Sequence, residues 1–255
     1  MPSDRLLLLL RTRPNMPAAE LRTTLGVNRT ALMRMVHAAG DEVLTVGRAR
    51  RTRYAARRVL PGCEQPLPVF EIDREGDYRQ LANLHLAYPH GSVVERLEEC
   101  PWPLDEEMRE GWFEGLPYFL QDLRPEGFLG RAFARTYGSL LQLPENPNHW
   151  SEDDTLQAIS RFGSDMIGNL IVGTAALRRY LDELQNSREL IQEADVPNAY
   201  LRLANIALSQ GFADSSAAGE FPKFLATLER NGTCVKVLVK FSGADRSPAA
   251  QRWSD

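Results

Sequence analysis

Asp214-Ser215-Ser216-Ala217-Ala218-Gly219-Glu220-Phe221-Pro222-Lys223 runs into a strand-like segment, an Asn231-Gly232 turn and a second strand, Val235 to Phe241. A loop of small residues lets backbone N–H groups approach phosphate oxygens closely, and lysine ammonium groups add positive charge. Lys223 at the end of the loop and Lys240 late on the returning strand therefore suggest a phosphate cradle. Ser-Ala-Ala-Gly is also ordinary linker chemistry, so the loop alone admits both readings. Hairpin geometry adds an independent argument. If Asn231-Gly232 is a two-residue type I′ turn, paired residue numbers sum to 463, which sets Lys223 opposite Lys240. Cross-strand neighbours lie about 5 Å apart, and two like charges there are unfavourable unless an anion sits between them. A Walker-type loop does not fit, because Lys223 is followed by Phe224 and Gly219 lies four positions before it rather than one.

Working outward, the 255 residues are 43% hydrophobic and 25% charged, which reads as globular, with room for one large or two ordinary domains. Cys63, Cys100 and Cys234 are far apart and form no C-x-x-C, which disfavours a disulfide framework or zinc site and fits a reducing compartment. Leu6 to Leu10 is too short for a signal-peptide core, and Met166 to Leu177 falls well short of the ~20 residues a bilayer requires. The expectation is a cytoplasmic protein with no membrane partner. Charge is unevenly distributed. Residues 1–60 hold twelve Arg against four acids, a balance of +8, so the remainder carries −12 of the overall −4. Since screening confines charge effects to about 8 Å, the basic head is the part suited to nucleic acid.

Within that head, Asp4 to Thr12 reads as a leucine-faced helix, and Pro17 opens a second helix at its first turn. Leu25-Gly26-Val27 supplies a turn, and Asn28 caps a third helix, Arg29 to His37, whose apolar positions Leu32, Val36 and Ala39 recur at helical spacing. The strand 42–46 and the arginine-rich run after it look like a wing. This is a winged helix-turn-helix pattern. In such a module Asn28, Arg29, Thr30 and Arg34 would reach base edges, while Arg48, Arg50, Arg51 and Arg53 would anchor phosphates. A small bundle serving as a partner-docking surface fits the same pattern.

Pro61-Gly62 and the prolines at 66 and 68 mark a boundary, giving expected domains at 1–60, 61–212 and 213–255. Residues 69–72, 81–86 and 91–97 have strand character, predicting a small antiparallel sheet. His85 and His90 have no carboxylate at a useful metal spacing. Leu116-Pro117-Tyr118-Phe119-Leu120-Gln121-Asp122-Leu123-Arg124-Pro125-Glu126-Gly127 precedes a helix over 128–137, with an acid near the positive end of its dipole. Ser151 caps a further helix with Asp154 reaching back, and Gly163-Ser164-Asp165-Met166-Ile167-Gly168 follows it. Residues 197–209 form an amphipathic helix. The overall fold class is α+β.

The Leu-Pro-x-Phe-Leu-x-Asp-Leu-x-Pro-Glu-Gly corner, the Arg161-x-Gly163-x-Asp165-x-x-Gly168 segment and the loop at 216–223 together resemble HipA-family serine/threonine kinase toxins. The similarity covers about residues 65–255, and the basic head is similar to a longer branch of that family with its own winged-helix module. The resemblance implies that Ser216 is an autophosphorylation position, that Ala218, Gly219, Glu220, Phe221, Pro222 and Lys223 wrap the phosphates of ATP, and that Lys240 pairs with them. Phe221 stands where the family usually has glutamine, which removes a polar contact from the loop. A kinase also needs a carboxylate to position the attacking hydroxyl and further groups for magnesium, placed after the lysine strand. Only fifteen residues follow Lys240, so the expectation is the N-terminal portion of a kinase, inactive alone, with magnesium held only in the missing catalytic lobe. A second reading is a DNA-binding regulator whose acidic body docks a separate kinase half or an antitoxin.

Overall fold

The computed structural model describes residues 2–74, 76–99, 102–185, 190–209, 223–230 and 233–241. In chain order, α1 (Pro2–Thr12) leads to β1 (Met16–Pro17), α2 (Ala18–Leu25), α3 (Arg29–Ala39), β2 (Val43–Val46) and β3 (Arg53–Ala56). Next come β4 (Leu67–Ile72), β5 (Tyr78–Ala87), β6 (Gly91–Arg96), the single turn α4 (Glu106–Arg109) and β7 (Trp112–Phe113). The remaining elements are α5 (Gly127–Leu141), α6 (Glu152–Phe162), β8 (Leu170–Val172), α7 (Thr174–Gln185), β9 (Ile191–Gln192), α8 (Val196–Ser209), β10 (Lys223–Arg230) and β11 (Thr233–Lys240). The fold is mixed α+β. It divides into two compact units, Met1–Arg124 with Ser151–Arg179, and Pro125–Trp150 with Tyr180–Asp255. Pro61-Gly62 therefore lies inside the first unit.

At the start of the first unit, Leu6, Leu10, Leu21 and Leu32 are buried against Met16 and Tyr54, because leucines at helical spacing present one apolar stripe per helix. Gly26 ends α2 at φ +68, a left-handed conformation that only glycine adopts without strain. Asn28 then caps α3, its side-chain oxygen accepting from the Ala31 N–H at 2.9 Å. Pro17 proves to be the residue just before α2 rather than in its first turn, and it pairs with Arg53 in a short strand, β1. On α3 it is Met35, with Leu32 and Ala39, that is buried; Val36 packs at the margin.

The expected antiparallel sheet has five strands in the order β7-β6-β5-β4-β8. Alternate residues Leu67 and Val69 on β4, and Leu84 and Leu86 on β5, face a core completed by Leu120, Leu123, Leu156, Ile159 and Val172. Helix α6 packs against it through Leu156 and Ile159 and begins with a full capping box. Ser151 Oγ accepts from the Asp154 N–H at 3.1 Å, and an Asp154 oxygen accepts from the Ser151 N–H at 2.9 Å.

The chain leaving β3 runs alongside the end of β5. The Arg58 N–H donates to the Leu86 carbonyl at 2.8 Å and the Tyr88 N–H to Ala56 at 2.9 Å, with an antiparallel bridge between Arg57 and Ala87. Leu44, Val46 and Ala55 from the head share a separate buried cluster with Ala87, Val93 and Trp112. The head is thus packed onto the larger sheet.

In the second unit, β11, β10 and β9 form a three-stranded sheet in that order, β9 running parallel to β10. Phe224 and Ala226 are buried with Ile191 and Ala199, and Val237, Val239 and Phe241 pack against them. Tyr200 on α8 meets Phe224 edge-on at 5.5 Å between ring centroids. At the start of α5, a Cβ on Gly130 would lie 2.3 Å from the Pro125 carbonyl carbon, so the Pro-Glu-Gly corner closes only over a glycine.

Candidate functional site

Two surfaces carry the expected site residues. On the hairpin, the register is the one the turn arithmetic demands: Lys223 is the partner of Lys240, and the pairing continues through Phe224 with Val239 and Ala226 with Val237 to Arg230 with Thr233. Since successive side chains alternate faces and Phe224 and Val239 pack into the core, Lys223 and Lys240 share the opposite, outward face. Leu225 and Leu238 flank them on that face, Leu238 exposed. The two lysines are therefore direct cross-strand partners on one face of the hairpin. Ser216, Ala218, Gly219, Glu220, Phe221 and Pro222, and the Asn231-Gly232 turn, lie outside the described residues. Among the described residues no group of three or more His, Cys, Asp or Glu side chains is placed to hold a metal ion.

On the head, Arg29, Thr30 and Arg34 lie exposed on α3, with Met33 between them at 48% exposure. Asn28 is exposed as well, but its oxygen is engaged in the cap. The four wing arginines, three between β2 and β3 and Arg53 at the start of β3, are not equivalent. Arg48 and Arg50 are exposed, with no ion-pair partner among the described residues. Arg51 pairs with Glu110, its Nη1 donating to the carboxylate at 3.1 Å. Arg53 is partly buried and donates to the Asn15 carbonyl at 3.1 Å, so it braces the connection between α1 and β1.

The last two arginines of the head, Arg57 and Arg58, are structural. Arg58, with its side chain 10% exposed, forms an ion pair through Nη1 with both carboxylate oxygens of Asp153 on α6 and also donates from Nε to the Ala87 carbonyl at 3.3 Å. Arg57 places Nη1 3.0 Å from His85 Nδ1. Arginine can only donate, so Nδ1 accepts and the neutral ring carries its proton on Nε2, facing Glu95 at 3.4 Å. Burial lowers the His85 pKa below its ordinary 6.5, and the hydrogen bond to Glu95 only partly offsets it. The hydrogen bond from Asn83 is the largest effect holding Glu95 below its ordinary range. A proton added at Nδ1 would face the guanidinium and remove the Arg57 bond. Below pH 6.5 the unfolded chain therefore binds more protons than the folded one, and stability falls as pH drops through that value. Urea midpoints measured from pH 7.5 to 5.5 should decline, and His85→Gln should flatten the decline within that window. An unchanged slope in the variant would assign the decline to other groups. Burial also raises the Cys63 thiol pKa, its sulfur lying 3.5 Å from Ser160 Oγ, so this cysteine suits a core role rather than a nucleophilic one.

No helix among the described residues is long and apolar enough to cross a membrane. Sequence reasoning gave the hairpin register, but it missed Glu110 and the division of labour among the arginines. The Arg51 and Glu110 positions are 59 residues apart with nothing in either neighbourhood to connect them.

Comparison with known proteins adds to this geometry. Residues 63–181 match a family described as YjjJ-like toxin, middle domain. Over 238 residues the chain is 35% identical to Toxin YjjJ of Escherichia coli (strain K12), an alignment covering 93% of this chain and 51% of that protein. The chain thus spans about half the length of the curated relative it matches. No solved structure matches the chain. Residues 63–181 are thus similar to the middle domain of YjjJ-like toxins, and the chain as a whole to the part of Toxin YjjJ that it aligns with.

Proposed function

We propose that this chain is the N-terminal portion of a HipA-like serine/threonine kinase toxin of a cytoplasmic toxin-antitoxin system. Its contribution is the phosphate-binding side of an ATP site. The observation that carries this reading is the pairing of Lys223 with Lys240 on one outward face of the β10-β11 hairpin. Two ammonium groups at cross-strand distance repel, and a polyphosphate between them turns the repulsion into two charge-assisted contacts. In this reading the loop residues Ala218 to Pro222 wrap the phosphates and Ser216 is the autophosphorylation position. The carboxylate and magnesium ligands that phosphoryl transfer requires belong to the whole-length protein, so the chain alone binds nucleotide without transferring phosphate.

Calorimetric titration with ATP tests it, because stability and binding should move in opposite directions. Lys223→Ala and Lys240→Ala should each weaken ATP binding about tenfold or more, in line with loss of a charge-assisted contact worth about 1.5–3 kcal/mol. Each should leave the thermal midpoint unchanged or slightly raised, since a like-charge pair is relieved. ATP binding that is absent in the wild type, or indifferent to both substitutions, would defeat the reading, as would transfer of labelled γ-phosphate by the chain alone.

A second reading, DNA binding by a winged helix-turn-helix in residues 1–60, is favoured by the exposed row Arg29, Thr30 and Arg34 on a capped helix with Arg48 and Arg50 beyond it. A row of polar and basic groups on one helix face, with further arginines on a neighbouring turn, suits base edges and the adjoining phosphates. The two readings are compatible, since they use different units of the protein.

A further inference from the structure

The acidic body contributes one residue to the basic turn of the head. Glu110 follows α4 and stands against the β2-β3 connection, with one carboxylate oxygen accepting from Arg51. The contact is built into the backbone. Gly47, at φ +75, has no side chain, and a Cβ placed there would lie 2.9 Å from the other Glu110 oxygen and 2.8 Å from the Arg51 carbonyl. The Glu110 side chain is 27% exposed, whereas that of Arg51 is 74% exposed. The carboxylate is the more enclosed partner, and the guanidinium is the more exposed one.

We propose that Glu110 withholds Arg51 from nucleic-acid phosphate, so that the resting head grips the DNA backbone through Arg48 and Arg50, and Arg51 joins only when a phosphate displaces the carboxylate. The inference rests on the DNA-binding reading and specifies which residues make up that surface. Arg53 stands outside the set, because its guanidinium is committed to the Asn15 carbonyl. The competition is a close one. A largely exposed ion pair is worth little in water, and a phosphate presented at the same distance offers a comparable attraction. Glu110 therefore sets a threshold of affinity rather than an absolute block.

The experiment is fluorescence anisotropy of the full chain with a labelled 20-base-pair duplex of arbitrary sequence, at salt concentrations from 50 to 200 mM. Glu110→Gln, which keeps the side-chain shape, should tighten binding about threefold. It should also steepen the plot of log affinity against log salt by about 0.9, the increment for one added phosphate contact. Arg51→Ala alone should change affinity less than twofold, whereas Arg51→Ala placed on Glu110→Gln should abolish the gain. Arg48→Ala with Arg50→Ala should lower the slope by about 1.8, the value for two lost contacts. If Arg51→Ala alone weakens binding as much as Arg50→Ala does, Arg51 is already engaged and the inference fails. It fails equally if the Glu110→Gln gain persists without Arg51, which would make Glu110 a general repulsive charge. Absence of duplex binding by the wild type and by Glu110→Gln alike would defeat the DNA reading itself, a result distinguishable from both.

Discussion

Gly173→Ala should destabilise the first unit by about 3–4 kcal/mol, while Gly168→Ala, five residues earlier, should cost only about 1–2. Both glycines have positive φ, +90 and +107, so an alanine at either strains the backbone. They differ in surroundings. A Cβ on Gly173 would lie 2.6 Å from the Ser160 carbonyl oxygen and 3.1 Å from its Cα, both backbone atoms of α6, whereas nothing lies within 4 Å of Gly168. Backbone cannot rotate away as a side chain can, so α6 or β8 must shift. Gly173 is also fixed in place, its N–H donating to the Pro68 carbonyl at 2.8 Å, and the next residue, Thr174, hydrogen-bonds Glu64 through its hydroxyl at 2.8 Å. Urea denaturation of the two variants separates backbone strain, common to both, from the overlap found only at Gly173. Equal losses would show that the helix yields freely.

Asp153→Ala should cost about 3 kcal/mol, whereas Arg58→Met should cost about 1. The asymmetry follows from unequal burial. The Arg58 side chain is 10% exposed and that of Asp153 is 42% exposed. Removing the carboxylate leaves a buried guanidinium with one long hydrogen bond, to Ala87 at 3.3 Å. Removing the arginine lets the carboxylate turn to water, and methionine fills the space with apolar volume. The value for Asp153 is set at the low end of the usual range for a broken buried pair because half-exposure softens it. Denaturation midpoints of the two single variants decide the matter, and equal losses would mean that the pair is effectively solvated on both sides.

How much of this was readable beforehand depended on how local the cause was. Caps are local, so Asn28 and the Ser151 capping box were legible from residues three positions apart. The hairpin register was legible because a two-residue turn fixes every pair beyond it. β1, β7 and β9 were not, since two residues cannot display an alternating pattern. The run Met166 to Leu177 is apolar apart from Asn169 and Thr174, which conceals that Gly173 divides it between β8 and α7. His85 was read beside His90, its neighbour in sequence, whereas its partners Arg57 and Glu95 arrive from β5's flanking segments. The arginine run reads as a uniform positive stripe, yet Arg51, Arg57 and Arg58 each meet partners from beyond residue 60.

The bridge from Arg57 to Ala87, with the shared cluster around Trp112, fixes more than packing. A recognition module on a flexible tether samples many orientations, and each binding event must first freeze that freedom. Here the head is hydrogen-bonded to the sheet and shares a buried cluster with it, so packing sets its orientation on the β4-β5-β6 face. Any duplex that the head holds would therefore leave at an angle set by this packing, and its binding would be spared the cost of freezing a tether.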